Sequence, residues 1–149
     1  MKNKTLFDRT VAILVKAYFS GKLKHGDCSA CAVGNICAGN GIPIMEGNVI
    51  NSSDYNNGVW VYAFSTNRNG ERQVSPAYYN SNIKRVIDAT GYAFNELADI
   101  EHSFETAQHG KSEDDRMFNG LMSVCDCLML IHEATAEECA EAKLLFLTN

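Results

Sequence analysis

The sequence predicts a mainly α-helical protein, a single domain over residues 1–149 folded as a bundle of about five to seven helices. Apolar residues recur at intervals of three and four along most of the chain, which is the period of an amphipathic helix. Capping and terminating residues stand at the ends of these stretches. The 149 residues are enough to bury one core, and no long linker or internal repeat divides them.

Two helices are predicted near the start of the chain. The apolar residues of segment 5–20 share one helical face, and Gly21 provides a stop signal. A short helix over residues 28–38 follows, with Asp27 as its N-cap and the Gly-Asn-Gly run at 39–41 as its terminator. Because this second helix is built from small residues, we expect it to be packed tightly between its neighbours.

The middle of the chain, residues 39–58, is rich in turn-forming residues and predicts an irregular segment. Residues 58–66 are apolar, β-branched and aromatic, a composition that fits either a strand or a short buried helix. The stretch 71–76 that would pair with such a strand is polar and ends in proline. This favours helical or irregular structure at 59–66, with a small β-hairpin near 59–74 as the alternative.

Four helices are predicted in the second half of the chain. One spans residues 77–89, and the next follows an apolar stripe from which the acidic residues, including Glu101, are expected to face away. A long helix begins at Asp114 or Asp115 and ends at 131, and a last helix begins at a capping box formed by Thr135 and Glu138 and reaches 147. The predicted inward-facing residues of the second and third of these helices are Phe94, Leu97, Ile100, Phe104, Met117, Leu121, Val124, Cys125, Leu128 and His132.

Charge and hydropathy limit the partners and the compartment. The net charge is -5 and no basic stripe is visible, which argues against nucleic acid as a partner. No run of 18 apolar residues occurs, so the sequence predicts no membrane span. The short apolar run near the start is not a secretory signal, because acidic and basic residues precede it and no clean cleavage site follows. We therefore expect a cytoplasmic protein with reduced thiols.

One segment of the chain suggests chemistry. His25, Cys28 and Cys31 supply three soft or borderline ligands within seven residues, which suits a tetrahedral zinc site. A fourth ligand must come from elsewhere, since Cys37 lies about 240° around the helix from Cys31. The sequence therefore predicts a zinc-type metal site at His25, Cys28 and Cys31 as one reading.

Two other readings of the same cysteines stay open. A Cys-x-x-Cys pair at a helix start is typical of thiol-redox sites, although the preceding residues do not form the strand that such sites follow. Alternatively, the cysteines are small apolar residues that fill the core, and this is the interpretation that the sequence favours. Cys37 and Cys125 fall on predicted buried faces and are expected to be core residues, whereas Cys127 points elsewhere.

The leading functional hypothesis is a small non-enzymatic interaction or regulatory protein without a cofactor, with a protein partner or a homodimer as its target. No nucleotide, hydrolase or metalloprotease motif is found, which favours a protein that is not an enzyme. The alternative is a metal-binding or thiol-redox protein that uses His25, Cys28 and Cys31. A helix face or an aromatic patch is expected to bind the partner. The aromatic patch consists of Tyr55, Trp60, Tyr62, Phe64, Tyr78 and Tyr79.

Overall fold

A computed structural model describes residues 1–25, 30–42, 64–66, 72–74 and 81–147. This part of the chain is mainly helical, as the sequence predicts, and its six helices agree with a helical bundle. The helices are α1 (Lys4–Phe19), α2 (Ala32–Gly39), α3 (Ser81–Thr90), α4 (Phe94–Thr106), α5 (Glu113–His132) and α6 (Ala136–Leu144), and the strands are β1 (Phe64–Thr66) and β2 (Arg72–Val74).

Helix α1 forms where the periodicity of the sequence places it. Its N-cap is Asn3, whose side-chain oxygen accepts a hydrogen bond from the Leu6 N–H at 3.2 Å. Gly21 follows the helix with a φ of +67°, so it ends α1 in the left-handed conformation that glycine adopts without strain. Phe7 and Leu14 lie on the buried face, which packs against α2 and α5.

Helix α2 begins later than the sequence predicts. Its first residue is Ala32 and its N-cap is Cys31, so the predicted helix start after Asp27 is wrong. The predicted terminator is confirmed, because Asn40 is the C-cap and Gly41 follows with a φ of +83°. Its first six residues are buried and the helix contacts α1, α3 and α4, which confirms that it packs tightly between its neighbours.

The two strands form an antiparallel pair in which Phe64 stands opposite Val74 and Thr66 opposite Arg72. The small hairpin that the sequence left as an alternative is therefore confirmed at these residues, and a helix at 64–66 is wrong. A polar partner is no obstacle, because backbone N–H and C=O groups make the ladder whatever the side chains are. Residues 59–63 and 67–71 of the predicted hairpin lie outside the described residues.

The second half of the chain forms α3 to α6, with α4 packed against α5 and α5 against α6. Helix α5 begins at Glu113 because the Ser112 hydroxyl caps it, accepting from the Asp115 N–H at 3.0 Å. The predicted capping box of Thr135 and Glu138 starts α6. All ten predicted inward-facing residues of α4 and α5 are buried. None of the helices in the described ranges is long and apolar enough to cross a membrane.

Candidate functional site

The residues that follow α1 lie against the residues that precede α2. The Lys24 N–H donates to the Ala30 carbonyl at 2.8 Å. The nearly buried amide of Asn35 on α2 donates to the carbonyls of Lys22 at 3.2 Å and of Ala30 and Cys31 at 3.0 Å each. Residues 22 to 24 therefore lie beside residues 30 and 31 at the N-terminus of α2, and residues 26–29 between them lie outside the described part of the chain. We call segment 22–31 the cysteine loop, since its sequence contains His25, Cys28 and Cys31.

His25 is held by the end of α4. Its ring stacks on the Phe104 ring with centroids 4.3 Å apart, and its Nε2 lies 3.0 Å from the Phe104 carbonyl oxygen. A carbonyl can only accept, so Nε2 carries the proton and donates it. In neutral His25 the lone pair is then on Nδ1. Gly120 of α5 allows this approach, because a Cβ there would lie 3.0 Å from both His25 Nε2 and the Phe104 oxygen.

Cys31 faces the protein interior at the first turn of α2. It is 1% exposed, and its Sγ accepts a hydrogen bond from the Gly34 N–H at 3.2 Å. The sequence placed Cys31 inside the helix, whereas the structure gives it the N-cap position. The sulfur thus has a fixed direction.

Glu101 is the residue that the sequence interpretation misplaced. It was expected to face solvent, but it is 3% exposed on the side of α4 that packs against α2. Its neighbours are the Cys31 thiol, the Val33 N–H and the Glu105 carboxyl, yet neither of its oxygens completes a hydrogen bond of good geometry. Burial raises the pKa of Glu101 well above its ordinary value, because an ionised carboxylate is poorly solvated there. A buried carboxyl without a counter-charge requires an explanation.

These groups meet on one face of α4. Glu101 touches the Cys31 end of the cysteine loop, and Phe104, three residues further along the helix, holds His25 at the other end. Residues three apart on a helix share a face and lie about one turn from each other. Cys28 of the predicted metal site lies outside the described residues. Among the residues with described side chains, no three His, Cys, Asp or Glu groups are close enough together to hold a metal ion.

The cysteines of the other helices are packing residues. Cys37 and Cys125 are buried, as the sequence predicts, and burial raises the pKa of each thiol to about 12. Cys127 is partly exposed and points away from Cys125. Cys139 donates from Sγ to the Cys125 carbonyl at 3.5 Å. No two of the cysteines in the described part of the chain form a disulfide bond with each other.

A chain of buried hydrogen bonds ties the N-terminal residues to the end of α5. Nδ1 of His132 donates to the Lys2 carbonyl at 2.7 Å, which leaves Nε2 to accept from the Tyr92 hydroxyl at 2.8 Å. The Tyr92 oxygen lies 2.8 Å from the Thr10 hydroxyl on α1. His132 completes the tie through its backbone oxygen, which accepts from the Lys2 N–H at 2.6 Å. Every polar side-chain group in this series of hydrogen bonds has a partner, which indicates a structural role.

A groove of about 440 Å³ lies between α1 and α6. Its floor is apolar and includes the buried residues Phe7, Val11 and Ala142, and Leu145, which is 48% exposed, stands at its edge. The charged groups that line the groove are the α-amino group of Met1 and the side chains of Lys4, Asp8, Glu138 and Glu141. An apolar floor with a charged rim is the usual form of a peptide-binding groove.

Five members of the predicted aromatic patch, Tyr55, Trp60, Tyr62, Tyr78 and Tyr79, lie outside the described residues, and the sixth, Phe64, is the first residue of β1. Comparison with protein-family models, with curated protein sequences and with solved structures finds no match for this chain. The cysteine loop and the groove are therefore the two features whose geometry bears on function.

Proposed function

We propose that the protein is a non-enzymatic interaction module that binds a cationic amphipathic segment of a partner protein in the groove between α1 and α6. The observation that carries the proposal is the cluster of exposed leucines at the end of α6. Leu144, Leu145 and Leu147 are 58%, 48% and 63% exposed, and Leu145 lines the groove. Clustered apolar side chains left in water mark a binding surface, whereas single ones do not.

The charges around the groove favour a cationic partner. Three carboxylates, Asp8, Glu138 and Glu141, face two positive groups, the Lys4 ammonium and the α-amino group of Met1, so acidic groups outnumber basic ones by one. That lysine is already paired, since its Nζ lies 3.0 Å from Asp8. Hydrogen bonds from Thr135 hold the pKa of Glu138 below its ordinary value, so it is charged at neutral pH. A helix with apolar residues on one side and lysine or arginine on the other complements this arrangement.

The experiment uses a designed helical peptide of leucine and lysine, labelled with fluorescein, and measures its binding by fluorescence anisotropy. A leucine–glutamate peptide of the same pattern is the charge control. We expect the lysine peptide to bind with an affinity that falls as salt is raised, and the glutamate peptide to bind more weakly. Equal binding of the two peptides, or no binding of either, would overturn the proposal.

Two matched leucine variants locate the binding surface. Leu145→Asn removes an apolar contact in the groove, and Leu130→Asn makes the same change at a 76% exposed position on α5 outside it. We expect Leu145→Asn to weaken binding of the lysine peptide by about fivefold or more, and Leu130→Asn to leave it unchanged. Equal effects of the two variants would contradict the assignment of the groove. Light scattering provides a further test, because a dimer that Leu145→Asn dissociates would make a second copy the occupant and overturn the cationic partner.

A second candidate function, a zinc-type metal site in the cysteine loop, is supported by the state of His25. Its Nε2–H donates to a backbone carbonyl and leaves Nδ1 as the nitrogen with a lone pair. Metal-binding histidines commonly have this arrangement, because the second hydrogen bond fixes the tautomer and the ring orientation. In the sequence, Cys28 stands three residues from both His25 and Cys31.

Elemental analysis of the purified protein, with thiol titration in the presence and absence of a strong chelator, tests this candidate. Near-stoichiometric zinc and two thiols that react faster after chelation would support it. Absence of metal and of any chelator effect would dispose of it, and the groove proposal would be untouched.

A further inference from the structure

We infer that the partner helix proposed for the groove lies antiparallel to α1 and α6, with its basic residues near its C-terminus and its apolar residues near its N-terminus. This inference rests on the proposed function and adds the direction in which the partner binds. The groove has a charged end and an apolar end, and the two helices that form it run in the same direction.

The charged end of the groove is formed by the start of α1 and the start of α6. Lys4 and Asp8 lie one turn apart on α1 and form an ion pair of 3.0 Å. Glu138 and Glu141 lie on α6, and both carboxylates act electrostatically on the Lys4 ammonium. With the α-amino group of Met1, which acts on Glu138, this end carries three negative and two positive charges. A partner residue that lies here is therefore favoured if it is basic.

The apolar end of the groove lies two turns further along both helices. Leu145 is seven residues after Glu138, and Val11 is seven residues after Lys4, so each pair spans about 10 Å along its helix. The described residues that line this end are all apolar and are Val11, Ala12, Ala142 and Leu145. Leu145 is 48% exposed, so an apolar partner residue that covers it removes apolar surface from water.

Helices α1 and α6 run in the same direction along the groove. At one end, Lys4 of α1 interacts with Glu138 of α6. At the other end, the Tyr18 ring of α1 lies 6.0 Å from the ring of Phe146, which follows α6. Residue numbers therefore rise in the same sense along both helices. Their N-termini, which carry partial positive charge, both lie at the charged end of the groove.

This common direction determines how a third helix binds best. An antiparallel helix places its C-terminal carbonyl groups, which carry partial negative charge, near the N-termini of α1 and α6. Its C-terminal half then lies against Glu138 and Glu141, where basic residues are favoured. Basic residues near a C-terminus also stabilise the partner helix itself, whereas in a first turn they oppose its dipole. The antiparallel arrangement therefore suits both the groove and the partner helix, and the parallel arrangement does not.

The experiment uses two helical peptides of identical composition, each acetylated and amidated so that terminal charges are absent, and each labelled with fluorescein on a central side chain. The leucine-first peptide has its leucines in the N-terminal half and its lysines in the C-terminal half, and the lysine-first peptide has the reverse order. Fluorescence anisotropy measures the binding of each peptide to the protein. Circular dichroism of the free peptides corrects the comparison for any difference in helicity. Benzophenone at either end of the leucine-first peptide reports its direction by photo-crosslinking, mapped by mass spectrometry.

We expect the leucine-first peptide to bind at least about threefold more tightly than the lysine-first peptide after this correction. Benzophenone at its N-terminus should crosslink near Leu145, and benzophenone at its C-terminus near Lys4 and Glu138. Glu141→Gln should weaken its binding by at least about threefold. Glu137→Gln, the matched change at an exposed position of α6 outside the groove lining, should weaken it by less than about twofold.

Crosslinks at the opposite ends, or equal or tighter binding of the lysine-first peptide, would overturn the antiparallel arrangement. The proposed function would stand in that case, provided that binding still depends on salt and on Leu145. Crosslinks outside the groove, or no binding of either peptide, would overturn both the direction and the proposed function.

Discussion

Replacement of Gly120 by alanine is expected to destabilise the protein, although alanine is the better helix former. In an unhindered helix interior, glycine to alanine gains about 1 kcal/mol. Here the new Cβ would lie 3.0 Å from the Phe104 carbonyl oxygen, 3.1 Å from its ring and 3.0 Å from His25 Nε2. The oxygen belongs to the backbone of α4 and cannot move cheaply, so the strain of an overpacked site, about 1–3 kcal/mol, applies.

The imidazole of His25 is the neighbour that can move. If it swings away from the methyl group, the hydrogen bond to Phe104 is lost, which costs about 0.5–1.5 kcal/mol more. Against the gain in helix propensity, the net loss for Gly120→Ala is about 1–3 kcal/mol. For a chain of this size the midpoint of thermal unfolding should fall by about 3–10 °C.

Urea unfolding, followed by far-UV circular dichroism in the presence of a chelator, measures the free energy of unfolding directly. Ser123→Ala, on the same helix, is the control for helix propensity alone and should change stability by less than about 0.5 kcal/mol. The double variant His25→Ala with Gly120→Ala should show a coupling free energy of at least about 0.5 kcal/mol, because the clash between the new methyl group and the imidazole requires both residues. A Gly120→Ala protein that is as stable as the wild type, or more stable, would refute the close approach.

Three further predictions concern the buried Tyr92–His132 hydrogen bond, the buried thiols and the N-cap of α5. Tyr92→Phe leaves Nε2 of His132 without its donor and should lower the free energy of unfolding by about 1–3 kcal/mol in urea; an unchanged value would show that the hydroxyl is dispensable. Because burial raises the pKa of Cys37 and Cys125 to about 12, both thiols should react with a disulfide reagent at pH 8 only after unfolding. Their contribution to stability should be complete below pH 9 and decline as the pH rises towards 12, which urea titrations at several pH values would detect. Ser112→Ala removes the N-cap of α5 and should cost about 1 kcal/mol by the same assay, with Ser112→Asp close to wild type.

The parts of the fold that could be predicted from the sequence are those that local rules determine. The buried face of α5 follows from a repeat of three and four residues, and the start of α6 follows from the capping box at Thr135. The start of α2 could not be predicted in this way. Asp27 is the better N-cap by local preference, but Cys31 takes the position because Asn35 and the Lys24–Ala30 hydrogen bond close the preceding loop.

The candidate site was only partly visible in the sequence. His25 and Cys31 were identified by their chemistry, whereas Glu101 was assigned to solvent because charged residues are rarely buried. The spacing held a signal that could have found it, since Leu97, Glu101 and Phe104 stand at i, i+4 and i+7 and therefore share one helix face. What periodicity cannot supply is the identity of the helix that covers that face, here α2.

The tie between Lys2 and His132 has a practical consequence for handling the protein. The Lys2 N–H donates to the His132 carbonyl at the end of α5, and the Lys2 carbonyl accepts from the His132 imidazole, so the first few residues are held against α5. An affinity tag fused ahead of residue 1 must leave these two hydrogen bonds intact. A protease that removes the first three residues would expose the His132 ring to solvent. The opposite end of the chain, with its exposed leucines, is the surface that a fused tag would obstruct.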